Sequence, residues 1–376
     1  MANKTSPKLL ALMLAGLFIL ALLLVGCGAP ANIGKLTPAP HWQPVRLSNP
    51  GPDKHPEDFS DIVAPDAGHL WLARASEPLL MSGDGGTSWQ PAAVSAFFLD
   101  FPTPQVGWAT SPQNAYYTKD AGKSWQDITR GKVFAVAAVS DKEAWALPVE
   151  VKRHGTVLHT TDGGASWQEV LVPGLPATVD FFSVNFPNPR QGFFTAVNAT
   201  GYDKDGRKPK SVQLALWLTQ DGGRTFQPAS LPTARPSGMS PCRPTPAGPR
   251  EIWLAFGNPA LLHSTDSGKS WRLEQLNVAG KPNVTALDDC TFLSAQEGWA
   301  VGDGGTALHT TDGGKSWQRV PTGAESVAQA HLMRVVFADP RHGWIIGRGG
   351  KINLTQPTGM FGSKEHGMTF VLRYVP

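Results

Sequence analysis

The stretch Thr310-Thr311-Asp312-Gly313-Gly314-Lys315-Ser316-Trp317 carries a pattern that returns along the whole chain. The pattern is Ser or Thr, any residue, Asp, any residue, Gly, any residue, Ser or Thr, and finally Trp or Phe. An Asp side chain accepts hydrogen bonds from backbone N–H groups in its own turn, and Gly adopts the positive φ that a tight turn needs. The closing aromatic residue begins the next strand and buries a large ring. We therefore interpret each copy, called a box below, as a strand-turn-strand unit.

Six full copies and one degraded copy occur in register. The residues at the acidic position are Asp84, Asp120, Asp162, Asp221, Asp266, Asp312 and, in the degraded copy, Glu365. Their successive spacings are 36, 42, 59, 45, 46 and 53 residues, which suit about four short strands and their turns. One such unit cannot bury its faces alone, whereas several packed radially close a core. The sequence therefore predicts an all-β, seven-bladed β-propeller over residues 57–376, in which the boxes are structural hairpins.

Two details of this ring stay open in the sequence. The segment His41–Val45 resembles the fourth strand of a repeat, but Phe370–Tyr374 continues the last box, so two segments compete for the outer strand that closes the ring. The fourth unit also carries an insertion, residues 198–211, which we interpret as a solvated loop.

The N-terminal region has the layout of a signal peptide. Lys4 and Lys8 flank the start of an apolar run, Leu9–Val25, whose 17 residues are short for a membrane span. The run ends in Leu24-Val25-Gly26-Cys27, which resembles the lipobox of bacterial lipoproteins. We predict a signal peptide over residues 1–26, lipid attachment at Cys27 and a tether over residues 27–56, with the body held outside the cytoplasm at the cell membrane. The alternative is an uncleaved anchor helix with an incidental Cys.

Two further cysteines lie in the body. Cys242 and Cys290 precede the acidic residues of the fifth and sixth boxes by 24 and 22 residues, so both fall near the first strands of neighbouring blades. Outside the cytoplasm this placement predicts either a disulfide between Cys242 and Cys290 or two buried thiols.

Composition and motifs favour a non-enzymatic, monomeric body without a cofactor. Hydrophobic residues make up 41% and charged residues 17%, with 40 Gly and 33 Pro, as in a loop-rich β protein. The formal charge of +3 gives no electrostatic attraction for nucleic acid. His159, His263 and His309 occupy equivalent positions on different blades, too far apart for one metal ion. The boxes resemble those of sialidases, but the Arg-Ile-Pro motif and a Tyr in a catalytic context are missing.

The run Gly298–Trp317 resembles the photosystem II assembly and stability factor family. The resemblance implies an extracytoplasmic seven-bladed propeller, lipid-anchored in cyanobacteria and facing the thylakoid lumen where the host is photosynthetic. It also implies a basic patch that meets the precursor of a reaction-centre subunit. The scattered candidates for such a patch are Arg190, Arg341, Arg348 and Lys351.

These observations predict a membrane-anchored propeller that acts as a protein-binding scaffold or assembly factor for a membrane complex. The alternative is a carbohydrate-active or glycan-binding propeller of the sialidase or glycosidase type. The two differ on the face opposite the boxes, where two carboxylates about 5 to 10 Å apart in a central pocket would indicate hydrolysis.

Overall fold

The repeat folds into seven antiparallel sheets of four strands each, the blades of a β-propeller. The computed structural model describes residues 41–45, 47, 59–74, 77–111, 114–128, 133–148, 155–174, 179–202, 209–232, 243–280, 284–326, 330–349 and 368–376. Within these ranges the chain has no helix long and apolar enough to cross a membrane. The predicted fold class is confirmed. The predictions for Leu9–Val25, Cys27, Cys242 and Glu365 fall outside the described residues.

The strands of each blade follow one another from its inner to its outer edge. Strand His41–Val45 (β1) comes first in the chain but belongs to the seventh blade. The first blade consists of Phe59–Val63 (β2), Leu70–Arg74 (β3), Leu80–Ser82 (β4) and Gln90–Pro91 (β5). The second consists of Phe98–Asp100 (β6), Gly107–Thr110 (β7), Ala115–Thr118 (β8) and Gln126–Asp127 (β9). The third consists of Val133–Ala138 (β10), Ala144–Pro148 (β11), Thr156–Thr160 (β12) and Gln168–Leu171 (β13).

The remaining blades have the same order. The fourth consists of Val179–Asn185 (β14), Gly192–Tyr202 (β15), Pro209–Thr219 (β16) and Gln227–Pro228 (β17). The fifth consists of Thr245–Pro246 (β18), Ile252–Leu254 (β19), Ala260–Ser264 (β20) and Arg272–Gln275 (β21). The sixth consists of Leu287–Phe292 (β22), Gly298–Gly302 (β23), Thr306–Thr310 (β24) and Gln318–Arg319 (β25). A short 3-10 helix, Ala324–Ser326, leads to the seventh, which holds His331–Asp339 (β26), His342–Gly349 (β27), Met368–Val375 (β28) and β1.

The insertion in the fourth blade is a long hairpin. The second and third strands, β15 and β16, pair from Gly192↔Thr219 to Tyr202↔Pro209 and have 11 residues each. The solvated loop predicted for residues 198–211 is therefore wrong for most of its length. Once a hairpin has formed, each further pair of residues adds backbone hydrogen bonds and extends both strands. The polar composition of this segment does not predict a strand, because strand propensity depends strongly on context.

The core is divided into seven apolar clusters, one at each contact between neighbouring blades. Large rings on the second strands dominate them. Those of Trp71, Trp108, Trp145, Trp253, Trp299 and Trp344 are at most 2% exposed. The cluster that joins Trp344 and Ile346 of the seventh blade to Ile62 and Leu70 of the first closes the ring. Each sheet packs both of its faces against neighbouring blades. The burial of apolar side chains between blades therefore stabilises the ring.

Both ends of the described chain build the seventh blade. β28 is its third strand, and β1 pairs with β28 from His41↔Val375 to Val45↔Val371 as the fourth. The two segments therefore do not compete, because each has its own place. This order also differs from the six full boxes, whose closing aromatic residue leads into a fourth strand. Phe370, the closing aromatic residue of the predicted seventh box, lies in β28, which is a third strand.

Candidate functional site

Each full box is a self-contained hydrogen-bonded turn. In the sixth, the Thr310 hydroxyl donates to Oδ1 of Asp312 at 2.9 Å and accepts from the N–H of Gly314 at 2.9 Å. The N–H of Ser316 donates to the same Oδ1 at 2.9 Å, and its hydroxyl donates to Oδ2 at 2.6 Å. The same four bonds recur around Asp84, Asp120, Asp162, Asp221 and Asp266.

This arrangement suits a turn lock and not a catalytic acid. The hydroxyl of the Ser or Thr four residues on is the main cause that lowers the pKa to about 2 in Asp84, Asp162, Asp221 and Asp312. A carboxylic acid must keep its proton near the working pH to donate it, and these groups do not. Each box also donates a backbone N–H to the turn between the first and second strands of its blade, as Gly313 does to the carbonyl of Gln296 at 2.8 Å. The boxes and these turns therefore share one face of the wheel.

The central channel is the second place where carboxylates gather. Asp61, Asp100 and Asp289 lie on inner strands, and each accepts a hydrogen bond from a backbone N–H of the next blade's inner strand. The donors are Leu99 at 3.0 Å, Ala138 at 2.9 Å and Val335 at 3.0 Å, respectively. These bonds link the first blade to the second, the second to the third, and the sixth to the seventh.

Bulges in the inner strands aim residues at this channel. The strand register shifts immediately before Asp61, Ala135, Ser183, Asp289 and Arg334. A bulge re-aims the residue that follows it, and four of these five line the small central cavity. Asp289 therefore reaches the channel, where its Oδ2 lies 3.6 Å from Nε of Arg334, whereas Asp288 contacts His331 at the start of the same strand of the seventh blade.

Two guanidinium groups neutralise most of the charge in the channel. Arg243, which precedes β18 of the fifth blade, donates from Nη2 to Oδ2 of Asp61 at 2.7 Å. Arg334 places Nη2 at 3.2 Å from Oδ1 of Asp61 and Nε at 3.6 Å from Oδ2 of Asp289. Burial raises the pKa of Asp100 to about 6 and also raises that of Asp289. The channel cluster, defined as these three carboxylates and two guanidiniums, thus ties five blades together.

The channel cluster leaves little room for a substrate. The cavity beside it, between Asp61, Arg243, Arg334 and the inner strands of the third and fourth blades, has a volume of about 30 Å³. That space accommodates one or two water molecules and not a sugar ring. Carboxylates therefore do lie at the centre of the wheel, but their hydrogen bonds and the small cavity indicate a structural role there.

A larger open groove lies between the third and fourth blades on the box face. It has a volume of about 500 Å³ and is lined by Glu143, Trp145, His159, Arg190 and Arg224, among others. His159 stacks on Trp145 with ring centroids 4.2 Å apart, and its Nε2 lies 3.0 Å from Oε1 of Glu143. Arg190 and Arg224 come from the first turn and the box of the fourth blade. We call this feature the blade 3–4 groove.

The groove combines features that suit a peptide chain. His159, which is backed by the buried ring of Trp145, supplies a flat ring surface, and the two arginines can bind carboxylate or carbonyl oxygens. Arg190, His159 and Asp221 were named from the sequence for separate reasons and were not brought together, because a groove between blades depends on how neighbouring repeats pack.

The other residues singled out in the sequence do not converge. Arg341 occupies the first turn of the seventh blade, Arg348 lies near the other end of β27, and Lys351 is outside the described residues. The candidate basic patch is therefore not gathered on one face among the described residues.

The histidines and Cys290 also have local surroundings. Nε2 of His309 lies 3.3 Å from Glu297, and His263 stacks on Trp253, so each belongs to its own blade. Burial raises the pKa of the Cys290 thiol, which is unpaired among the described residues. Because Cys242 lies outside them, the disulfide stays a prediction.

The comparisons with known proteins agree with the resemblance read from the sequence. The family model for the photosynthesis system II assembly factor YCF48 matches residues 274–355. The chloroplastic photosystem II stability/assembly factor HCF136 of Arabidopsis thaliana is 28% identical over 300 residues, which cover 74% of this chain and 71% of that protein. The photosystem II assembly lipoprotein Ycf48 of Synechococcus sp. (strain CC9902) is 22% identical over 323 residues, covering 74% and 94%.

A solved structure has the same architecture. YCF48 bound to D1 peptide aligns with a TM-score of 0.59 at 20% identity, covering 89% of this chain and 97% of that one. The chain is thus a seven-bladed β-propeller similar to photosystem II assembly factors.

Proposed function

We propose that this photosystem II assembly factor-like propeller is a non-enzymatic scaffold that binds a segment of a membrane-complex subunit during assembly. The observation that carries the proposal is the 28% identity to HCF136, which extends over 300 residues and not over one repeat alone. In a photosynthetic host the client is the D1 subunit or its precursor, as in the structure of YCF48 bound to D1 peptide. The channel cluster supports the absence of catalysis, because its carboxylates are engaged with backbone groups and arginines.

The blade 3–4 groove is the proposed place of contact. Its volume of about 500 Å³ fits several residues of an extended segment. Arg190 and Arg224 are positioned to bind carboxylates of the client, while the ring of His159, stacked on the buried Trp145, supplies a flat surface.

The anchoring proposal rests on the sequence and on one relative. A lipid at Cys27 would hold the propeller at the outer surface of the cell membrane, or at the lumen side of the thylakoid in a photosynthetic host. The name of the Synechococcus relative, a lipoprotein, supports this. We further propose that the body acts as a monomer, because the seven blades already bury the apolar faces of one another.

Affinity purification from the native membrane tests the function. The lipidated protein, carrying a C-terminal tag, is solubilised and its partners are identified by mass spectrometry. We expect enrichment of photosystem II subunits, with the reaction-centre subunit foremost. Failure to recover any protein, together with strong retention on polysaccharide, would contradict the scaffold and favour the glycan-binding alternative.

A pair of charge reversals tests the groove separately. Arg190→Glu combined with Arg224→Glu should lower client recovery about tenfold or more, as expected for the loss of charge-assisted bonds. Arg341→Glu is a matched control, because Pro-Arg precedes the second strand in both the fourth and seventh blades. Full recovery of the client with the double variant would show that the client binds outside the blade 3–4 groove. It would not contradict the scaffold function.

A further inference from the structure

Three metal-ligating side chains converge on the face opposite the boxes. Nε2 of His331 lies 2.7 Å from Oδ2 of Asp288 and 3.8 Å from Oδ1 of Asp303. One ligand atom from each of the three lies within 4.8 Å of the others. Asp288 and His331 are mostly buried, with side chains 12% and 19% exposed, whereas Asp303 is half exposed. The cluster is therefore open to solvent on one side only.

The backbone fixes these three residues from two blades. Asp288 is at the start of β22, Asp303 directly follows β23, and His331 begins β26 of the next blade. An antiparallel bridge joins the backbones of Asp303 and His331. The side chain of Asp289 meets Arg334 and the N–H of Val335, and that of its neighbour Asp288 meets His331, nearer the start of the same strand.

We propose that Asp288, Asp303 and His331 bind one divalent transition metal ion, with Zn²⁺ as the ion of best fit. One imidazole nitrogen and two carboxylate oxygens are ligands that this ion accepts in four-coordinate sites, with bonds of about 2.0–2.2 Å. Such bonds place neighbouring ligand atoms roughly 3.3 Å apart. The present separations of 2.7 and 3.8 Å bracket that value, so small side-chain rotations suffice. Three protein ligands leave a fourth position for water or for an atom of a client.

The surrounding charges leave the three ligands available. Arg348 is the cross-strand partner of His331, yet neither carboxylate forms an ion pair with it in the part of the chain that the structure describes. The pairs His309–Glu297 and His159–Glu143 have similar spacings of 3.3 and 3.0 Å, but no third metal-ligating group joins them among the described residues. These pairs are therefore natural controls.

Isothermal titration calorimetry on the full chain, freed of metal with a chelator, tests the site. We expect one equivalent of Zn²⁺ to bind and to raise the melting temperature. His331→Ala and Asp288→Asn should each weaken binding about tenfold or more, while His309→Ala should bind like the unmodified chain. Co²⁺ should give a visible absorption band that His331→Ala abolishes.

The contrary results are equally clear. Undiminished binding of Zn²⁺ by both His331→Ala and Asp288→Asn would overturn the site, as would no binding by the unmodified chain, which would leave His331 and Asp288 as an ion pair only. Melting of the metal-free variants near the temperature of the unmodified chain shows that they are folded. The outcome does not depend on whether the scaffold function holds.

Discussion

The glycine two residues after the Asp of each full box has a role beyond its own turn. Gly314 has φ of +81°, and a Cβ atom there would lie 2.7 Å from the ring of Trp253 in the preceding blade. Gly223 meets Trp145 and Gly268 meets Phe193 in the same way, at 2.1 and 2.5 Å. The glycine therefore allows the hairpin of one blade to lie against the large ring of another. The turn was predictable from the sequence pattern. The contact was not, because it joins residues of different repeats.

Gly314→Ala should therefore be costly. The substitution adds an unfavourable φ, at about 1 kcal/mol, and an overlap with a fully buried ring, at about 1–3 kcal/mol. We expect a loss of about 2–4 kcal/mol in the free energy of unfolding, measured with guanidinium chloride. Gly280→Ala is the matched control, because Gly280 has φ of +75° and no atom within 4 Å of the added Cβ. Its loss should be about 1 kcal/mol, and equal losses at the two sites would refute the contact.

The contacts of the inner strands could not be predicted from the sequence. Side chains normally alternate along a strand, but the bulge at Asp288 and Asp289 lets both reach strand β26 of the next blade, at His331 and Arg334 respectively. The bulges decide which residue enters the channel, and their positions cannot be predicted from the amino-acid composition of the strands. The pair formed by Arg243 and Asp61 joins residues 182 positions apart, and only the closed ring brings them together.

The channel cluster should make stability depend on pH. Burial raises the pKa of Asp100 from 3.8 to about 6, so the folded chain retains a proton that the unfolded chain releases. The free energy of unfolding should then fall as the pH rises from about 4 to about 6, by at most about 1.4 kcal/mol per pH unit for one proton. Urea unfolding across this range should show the slope, and Asp100→Asn should reduce it.

The boxes affect stability in a lower pH range than the channel cluster and with the opposite sign, because their carboxylates have lowered pKa values. Because the hydroxyl and N–H donors lower the pKa of Asp84 to about 2, its stabilising contribution is lost only as the pH falls from about 4 toward 2. Asp84→Asn should therefore leave the slope between pH 4 and 6 unchanged. An equal change of slope in Asp84→Asn and Asp100→Asn would contradict the assignment to the channel.

The ring as a whole is closed by strands from both ends of the described chain. Trp42 of β1 is 5% exposed and packs on Trp299, Phe337 and Tyr374, with ring centroids 5.4, 5.9 and 5.3 Å apart. The seven blades could be predicted from the boxes. The sharing of the last blade could not, because both segments have the composition of an outer strand.

Trp42→Ala should destabilise the entire propeller. Removing a buried ring of this size costs about 3–5 kcal/mol, and we expect the loss in guanidinium unfolding together with faster proteolysis. Gln43→Ala, on the exposed side of the same strand, should change stability by no more than about 0.5 kcal/mol. A mild effect of Trp42→Ala would mean that the other six contacts between blades hold the ring without this one.

The pairing of β1 with β28 also imposes an order on biosynthesis. In sheet order β1 has one neighbour, β28, and the two are separated by some 320 residues of chain. The first of the described strands to leave the ribosome must therefore wait, unpaired, for the last of them. A polypeptide interrupted before residue 368 would keep an unmatched edge that proteases and chaperones can recognise. The seventh blade thus stays incomplete until β28 has been made.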